Sequence, residues 1–131
     1  MGSNKRLYEK GYKLGNLIYG GKYEQLVEFL RKHDKEFARY LVEHTFGEVL
    51  SRKGLNLKTR MLCNVAALTA LGIELLLKNY IKAALFVGAS YQEVKEVIIQ
   101  MHVYAGWPRS VVALRVFDEA SQELQAERES K

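Results

Sequence analysis

The sequence predicts an all-α domain built from a bundle of six or seven helices, and three observations support this prediction. Apolar residues recur at helical spacing along most of the chain, as at Val94, Val97, Ile98 and Met101. No stretch alternates apolar and polar residues for long enough to form a strand. Glycines separate the apolar runs, and the chain has one proline, Pro108. At 131 residues, we expect a single domain over residues 1–131.

The helices can be placed one by one from these signals. We expect them over residues 4–19, 23–32, 34–49, 58–71, 74–85, 90–105 and from Pro108 onward, with fraying over the polar residues 122–131. Asp34 is suited to N-cap the third helix, and Ser90 with Glu93 matches a capping box. Gly11 and Gly15 are expected to weaken the first helix. The helix over residues 58–71 is apolar almost all round, which predicts a central position in the domain.

Composition and charge exclude several classes of function. Cys63 is the one cysteine, so no internal disulfide can form, and we expect a small buried thiol in a reducing, cytoplasmic protein. No basic leader opens the chain, and the longest apolar region is shorter than the ~20 residues that cross a bilayer, so neither export nor a membrane is expected. The net charge is +5, but basic residues are mixed with 15 acidic ones, which argues against nucleic acid.

The stretch over residues 92–108 is the best candidate for a reactive pocket. Its helix carries an apolar face and should end at Gly106, and Pro108 suits the first turn of the next helix. His102, Tyr104 and Trp107 bring polar groups close to that apolar face. A histidine titrates near neutral pH and can transfer protons, so we expect His102 to line the pocket.

Several ordered segments resemble one known family. They are Phe-Gly-Glu at 46–48, Arg-Lys-Gly-Leu at 52–55, Thr-Arg at 59–60, Ala-Leu-Thr-Ala-Leu-Gly at 67–72, Ala-Ala-Leu at 83–85, Gly88 and Val-Tyr-Ala-Gly-Trp-Pro at 103–108. Over roughly residues 8–120, the sequence resembles the carboxymuconolactone decarboxylase family. The resemblance implies an all-helical protomer in a ring-like oligomer, commonly a hexamer, that needs no cofactor. Founding members decarboxylate 4-carboxymuconolactone to an enol-lactone in aromatic catabolism.

A sister branch of that family, the alkylhydroperoxidase D-type proteins, uses a Cys-x-x-Cys pair with a nearby glutamate and histidine. Counted from Arg60, the corresponding positions hold Met61, Ile73, Leu76 and Tyr80. A dithiol reaction needs a second thiol to resolve the first, and Cys63 has none in its own chain. The sequence therefore predicts no peroxidase of that design. Tyr80 also replaces a histidine that is frequent in the decarboxylase branch.

The resemblance and the residues together suggest a cofactor-free decarboxylase of a small carboxylated lactone or related acid. We expect His102 to return a proton to carbon and Glu48 to orient it. Arg52, Arg60, Tyr104 and Trp107 are the candidates for holding the substrate and its developing negative charge.

Plainer interpretations remain open for these residues. His102 can be a core histidine, and Glu48 with Arg52 can be a surface pair at i, i+4. Two other functions also remain open. One is a redox protein that uses Cys63 across a subunit interface, and the other is an oligomer that binds small acids without catalysis.

Overall fold

The computed structural model describes residues 4–130, which contain helices and no strand. The helices are α1 (Lys5–Tyr19), α2 (Lys22–His33), α3 (Lys35–Arg39), a π-helical segment (Tyr40–Val49), α4 (Leu57–Leu71), α5 (Glu74–Phe86), α6 (Tyr91–Gln100), α7 (His102–Ala105) and α8 (Trp107–Glu129). The described residues form seven helices when α3 and the π-helical segment are counted as one helix and the single turn α7 is not counted. The all-α prediction is confirmed. No helix within residues 4–130 has the length and apolar character needed to cross a bilayer.

The chain forms two compact units, the first ending at Leu57 and the second beginning at Lys58. The first contains α1, α2, α3 and the π-helical segment, and the second contains α4 to α8. The single domain over residues 1–131 stays a prediction.

The predicted helix caps are present. The Asp34 side chain accepts a hydrogen bond of 2.9 Å from the Phe37 amide at the start of α3. At the start of α6, Ser90 Oγ accepts from the Glu93 amide at 3.0 Å, and Glu93 Oε1 accepts from the Ser90 amide at 2.9 Å. Each cap satisfies backbone N–H groups that the helix leaves open, and such a cap stabilises a helix by about 1 kcal/mol.

The core of the first unit forms where α1 packs on the π-helical segment. The fully buried rings of Tyr23 and Phe46 meet at 5.0 Å in an edge-to-face arrangement. Gly11 and Gly15 are buried in this packing. A Cβ on Gly11 would lie 1.7 Å from the Val42 carbonyl oxygen, and one on Gly15 would lie 2.0 Å from the Tyr23 ring. Both glycines are therefore needed for the close approach of α1 to its neighbours.

The third predicted helix changes its hydrogen-bond pattern at Tyr40. From there to Val49 the bonds span five residues, and the last of them joins the Leu50 amide to the Thr45 carbonyl at 2.9 Å. Glu43 is buried in this segment. Its Oε1 accepts a hydrogen bond of 2.8 Å from the Asn4 amide and lies 3.6 Å from Arg39 Nη1. The carboxylate thus fastens the start of α1 to the π-helical segment.

Helix α4 of the second unit differs from its predicted central position. Met61, Val65 and Thr69 are buried, but the opposite face exposes Cys63, Ala67 and Leu71, with 63% of Leu71 accessible. The expectations of a helix covered on every side and of a buried Cys63 are therefore wrong for this chain. Although α4 is apolar almost all round, its own chain covers one face of the helix and leaves the opposite face exposed.

The end of α8 is helical to Glu129, so the expected fraying over residues 122–131 is not seen up to that residue. Ion pairs join this part of α8 to α5. Lys78 Nζ lies 3.0 Å from Glu123 Oε2, and Lys82 Nζ lies 3.4 Å from Glu123 Oε1 and 3.6 Å from Glu127 Oε1. Glu123 and Glu127 therefore hold the last turns of α8 against α5, although the sequence around them is typical of a solvated tail.

We expect this network to make the protein's stability depend on pH. The hydrogen bond from Lys78, with help from Lys82, lowers the pKa of Glu123 below its usual value. Stabilisation from a lowered carboxyl pKa is present above the pKa of the unfolded chain and is lost as the pH falls towards the folded-state pKa. The unfolding free energy of the unaltered chain should therefore fall between neutral and acidic pH. In Glu123→Gln this fall should be smaller, by about 1 kcal/mol or less for such a half-exposed pair.

Urea unfolding at a series of pH values measures this effect. Glu96→Gln is the matched control, because Glu96 is exposed on α6 and forms no ion pair within residues 4–130. Identical pH profiles for the Glu123→Gln variant and the unaltered chain would contradict the prediction.

Candidate functional site

A small apolar cavity lies in the second unit, where α6 ends and α8 begins. It measures about 230 Å³ and is lined by Ile99, His102, Trp107, Ser110, Val111 and Leu114. Gly106, with φ of 95°, turns the chain between α7 and α8. A side chain would be strained at that φ, so the glycine fixes where α8 starts and places Trp107 beside the cavity. Most of the lining is aliphatic or aromatic carbon.

His102 is an exposed side chain at this cavity, with one ring nitrogen engaged. Its Nδ1 lies 2.5 Å from the Ile99 carbonyl oxygen. A carbonyl oxygen only accepts hydrogen bonds, so Nδ1 carries a proton and donates a hydrogen bond to the Ile99 carbonyl oxygen. Nε2 is then the atom that can exchange a proton with a bound molecule. His102 is the first residue of α7 and lines the cavity, and its catalytic role stays a prediction.

Ser110 is a lining residue that the sequence did not single out. Its hydroxyl is buried and donates a hydrogen bond of 2.7 Å to the Ile98 carbonyl oxygen. The bond joins the first turn of α8 to the end of α6 and so sets the width of the cavity. A serine in the first turn of a helix is equally typical of an exposed surface position. The sequence was therefore only a weak indication that Ser110 lines a cavity.

The two aromatic candidates are placed differently. Trp107 lines the cavity and has 70% of its surface exposed, whereas Tyr104 is exposed on α7 and does not line it. His102 and Trp107 are thus brought together in the second unit. Arg60 lies in the first turn of α4 and is not part of the cavity lining.

The other two candidates lie in the first unit. Glu48 is exposed in the π-helical segment, and its Oε1 lies 3.5 Å from Nδ1 of His44 at i, i+4. The pairing of Glu48 with His102 stays a prediction. Arg52 lines a larger concave surface of about 510 Å³, formed by α1 and residues 50–57. Its cations are Lys10, Lys13, Arg52 and Lys53, and we call this surface the basic groove.

Metal ligands are not grouped in the part of the chain that the structure describes. No three side chains among its histidines, cysteines, aspartates and glutamates are placed to hold a metal ion together.

Comparison with known proteins identifies the family. The sequence model of the carboxymuconolactone decarboxylase family matches residues 35–119. The chain belongs to this family. The earlier resemblance is therefore confirmed. The 4-carboxymuconolactone decarboxylase of Acinetobacter baylyi is 31% identical over 93% of this chain and 92% of its own length.

Two further relatives are more distant or shorter matches. A nitrosuccinic acid decarboxylase of Metarhizium robertsii is 26% identical over 86% of this chain and 80% of its own length. An uncharacterized 15.0 kDa protein of Paracoccus denitrificans is 36% identical over 58% of each chain. The match to the carboxymuconolactone decarboxylase family covers α3 to the first half of α8, so α1 and α2 lie outside it.

Proposed function

We propose that this member of the carboxymuconolactone decarboxylase family is a cofactor-free carboxy-lyase acting on a small carboxylated lactone or related acid. The observation that carries the proposal is the His102 ring, held through Nδ1 with Nε2 open beside an apolar cavity. Two relatives support it, since both are named as decarboxylases and their names refer to different small acids.

The chemistry asks little of the protein. The bond between the carboxylate and its neighbouring carbon breaks, carbon dioxide leaves, and the electron pair stays on a carbon conjugated with a carbonyl group. The protonated Nε2 of His102 then donates its proton to that carbon, and the ring is reprotonated from water. An apolar cavity favours this reaction because the localised charge of the carboxylate becomes spread over the dienolate intermediate before that intermediate is protonated.

The remaining candidates take supporting parts in the proposal. Arg52 and Arg60 are proposed to hold the substrate carboxylate or the developing oxyanion, and the Tyr104 hydroxyl to donate to it. Trp107 supplies an apolar wall beside His102. Glu48 is proposed to orient His102, although in the structure its carboxylate lies beside His44. A cytoplasmic location is part of the same proposal.

The direct test is to incubate the purified protein with 4-carboxymuconolactone and with nitrosuccinic acid and to measure carbon dioxide release. We expect turnover of at least one of these acids or a close analogue, unchanged by EDTA. No release from a panel of such acids would overturn the proposal.

A redox function has one observation in its favour, the exposure of Cys63. Measuring both carbon dioxide release and hydroperoxide consumption, for the unaltered chain and for Cys63→Ser, separates the two functions. A lyase should keep its turnover in this variant and show hydroperoxide consumption no greater than background. Hydroperoxide turnover that disappears in Cys63→Ser would favour the redox function.

We further propose that the chain assembles into a homo-oligomer, a hexamer built as a trimer of dimers. The exposed stripe on α4 supports this, because Leu71 and the nearby Leu75, with 74% of its surface accessible, would be covered by a second copy. Light scattering should give a mass near six chains of 15.0 kDa, and Leu75→Lys should lower it. A stable 15.0 kDa species at micromolar concentration would refute the assembly.

A further inference from the structure

The basic groove of the first unit combines two features that suit one kind of ligand. Lys10 and Lys13 lie three residues apart on one face of α1, and Arg52 and Lys53 face the same space from the segment after the π-helix. Among the described residues, no aspartate or glutamate lines the groove. Lys10, Lys13 and Lys53 form no ion pair within residues 4–130. Three lysines without an ion pair in the described part of the chain therefore share one concave surface that no carboxylate lines.

The rest of the lining is strongly apolar. Five leucines contribute to it, namely Leu14, Leu17, Leu50, Leu55 and Leu57. Leu17 and Leu55 keep 49% and 47% of their surface accessible. Half-exposed leucines therefore lie beside Lys10, Lys13 and Lys53, so the groove offers both apolar area and positive charge to a ligand. The groove measures about 510 Å³, within the ~300–1,000 Å³ range that is usual for small-molecule sites.

We propose that the basic groove binds an amphiphilic anion, a molecule with an acidic head group and an apolar body. The head is held by Lys10, Lys13 and Lys53, and the body covers the leucines. Lys10 and Lys13 lie outside residues 35–119 and Lys53 lies inside them, so the family match covers only part of the groove. The inference stands whether or not the protein decarboxylates any acid, because it concerns binding that is measured without turnover.

Calorimetric titration with three ten-carbon probes tests the proposal, each below its micelle concentration. Decanoate and decyl phosphate should bind, and decanol, which has the same body without charge, should bind at least ~10-fold more weakly. Raising the salt from ~0.01 M to ~0.5 M should weaken the two anions and leave decanol unchanged. A lower Kd for decyl phosphate would identify a phosphate head, and a lower Kd for decanoate a carboxylate head. No heat from either anion, or equal affinity for decanol, would overturn the proposal.

Two sets of variants locate the binding in the groove. The double variant Lys13→Gln with Lys53→Gln should weaken decanoate binding by about tenfold. The control is the double variant Lys22→Gln with Lys95→Gln, which removes the same charge outside the groove. It should change the Kd for decanoate by less than about twofold. Equal effects from the two pairs would show attraction by net charge alone and would overturn the proposal.

The apolar half of the site is tested in the same way. Leu17→Gln should weaken decanoate by about tenfold through lost apolar contact, whereas Phe29→Gln, an exposed apolar residue outside the groove, should have little effect. If Leu17→Gln changes the oligomeric mass but not the Kd for decanoate, the groove is an interface between copies and the ligand proposal is wrong.

Discussion

His102→Gln is expected to reduce decarboxylation by about 10²–10⁴-fold, the usual contribution of a general acid. Glutamine can still donate a hydrogen bond to the Ile99 carbonyl oxygen, but it cannot carry the proton that carbon must receive. The side chain is exposed, so the change should leave the melting temperature and the oligomeric mass as they are. Turnover is measured with whichever acid the unaltered protein accepts, at several substrate concentrations to separate kcat from KM.

The chain provides a matched control for this experiment. His33 is exposed at the end of α2 and packs its ring against Phe29, with ring centres 4.9 Å apart, in the first unit. His33→Gln makes the same chemical change away from the cavity and should keep full turnover. A His102→Gln variant with normal kcat would remove His102 from the mechanism. Equal losses in both variants would point to a general effect on folding rather than to proton transfer.

Gly11→Ala is expected to destabilise the protein by about 3 kcal/mol or more. The new Cβ would lie 1.7 Å from the Val42 carbonyl oxygen and 2.9 Å from the Gly47 amide nitrogen. Both are backbone atoms, so neither can rotate away, and α1 must move off the π-helical segment. Alanine gains about 1 kcal/mol of helix propensity over glycine, which is too little to offset this displacement. Urea unfolding curves measure the difference.

Gly54→Ala is the control for this prediction. A Cβ on Gly54 would meet nothing within 4 Å, and its φ is not positive, so the change should stay within about 0.5 kcal/mol. A Gly11→Ala variant as stable as Gly54→Ala would mean that α1 can shift freely against its neighbour. That result would contradict the close packing of the first unit.

Local signals in the sequence predicted the helices well, because helix ends depend on a few nearby residues. Asp34, Ser90 and Glu93 form the expected caps, since a cap needs only side chains within three residues of the helix start. The packing role of Gly11 was not predicted, because it depends on Val42, which is distant in sequence. The change to π-helical bonding at Tyr40 gave no local signal either.

The candidate site was predicted in part for the same reason. His102 and Trp107 lie within a few residues of each other around Gly106, so the sequence alone could place them at one pocket. Ser110 and the basic groove were not predicted. Lys10 and Lys13 are separated from Arg52 by about forty residues, and only the packing of α1 brings them to one surface. A charge count of +5 does not show where those charges collect.

The π-helical segment over Tyr40–Val49 has a consequence for how this protein should be aligned with its relatives. A π-helix closes each hydrogen bond over one residue more than an α-helix does, so it can absorb an inserted residue without changing the helices on either side. Relatives that are one residue shorter here should carry an ordinary α-helix, and an alignment gap belongs within residues 40–49. A deletion series through this segment should therefore tolerate the loss of one residue better than deletions inside α4 or α5.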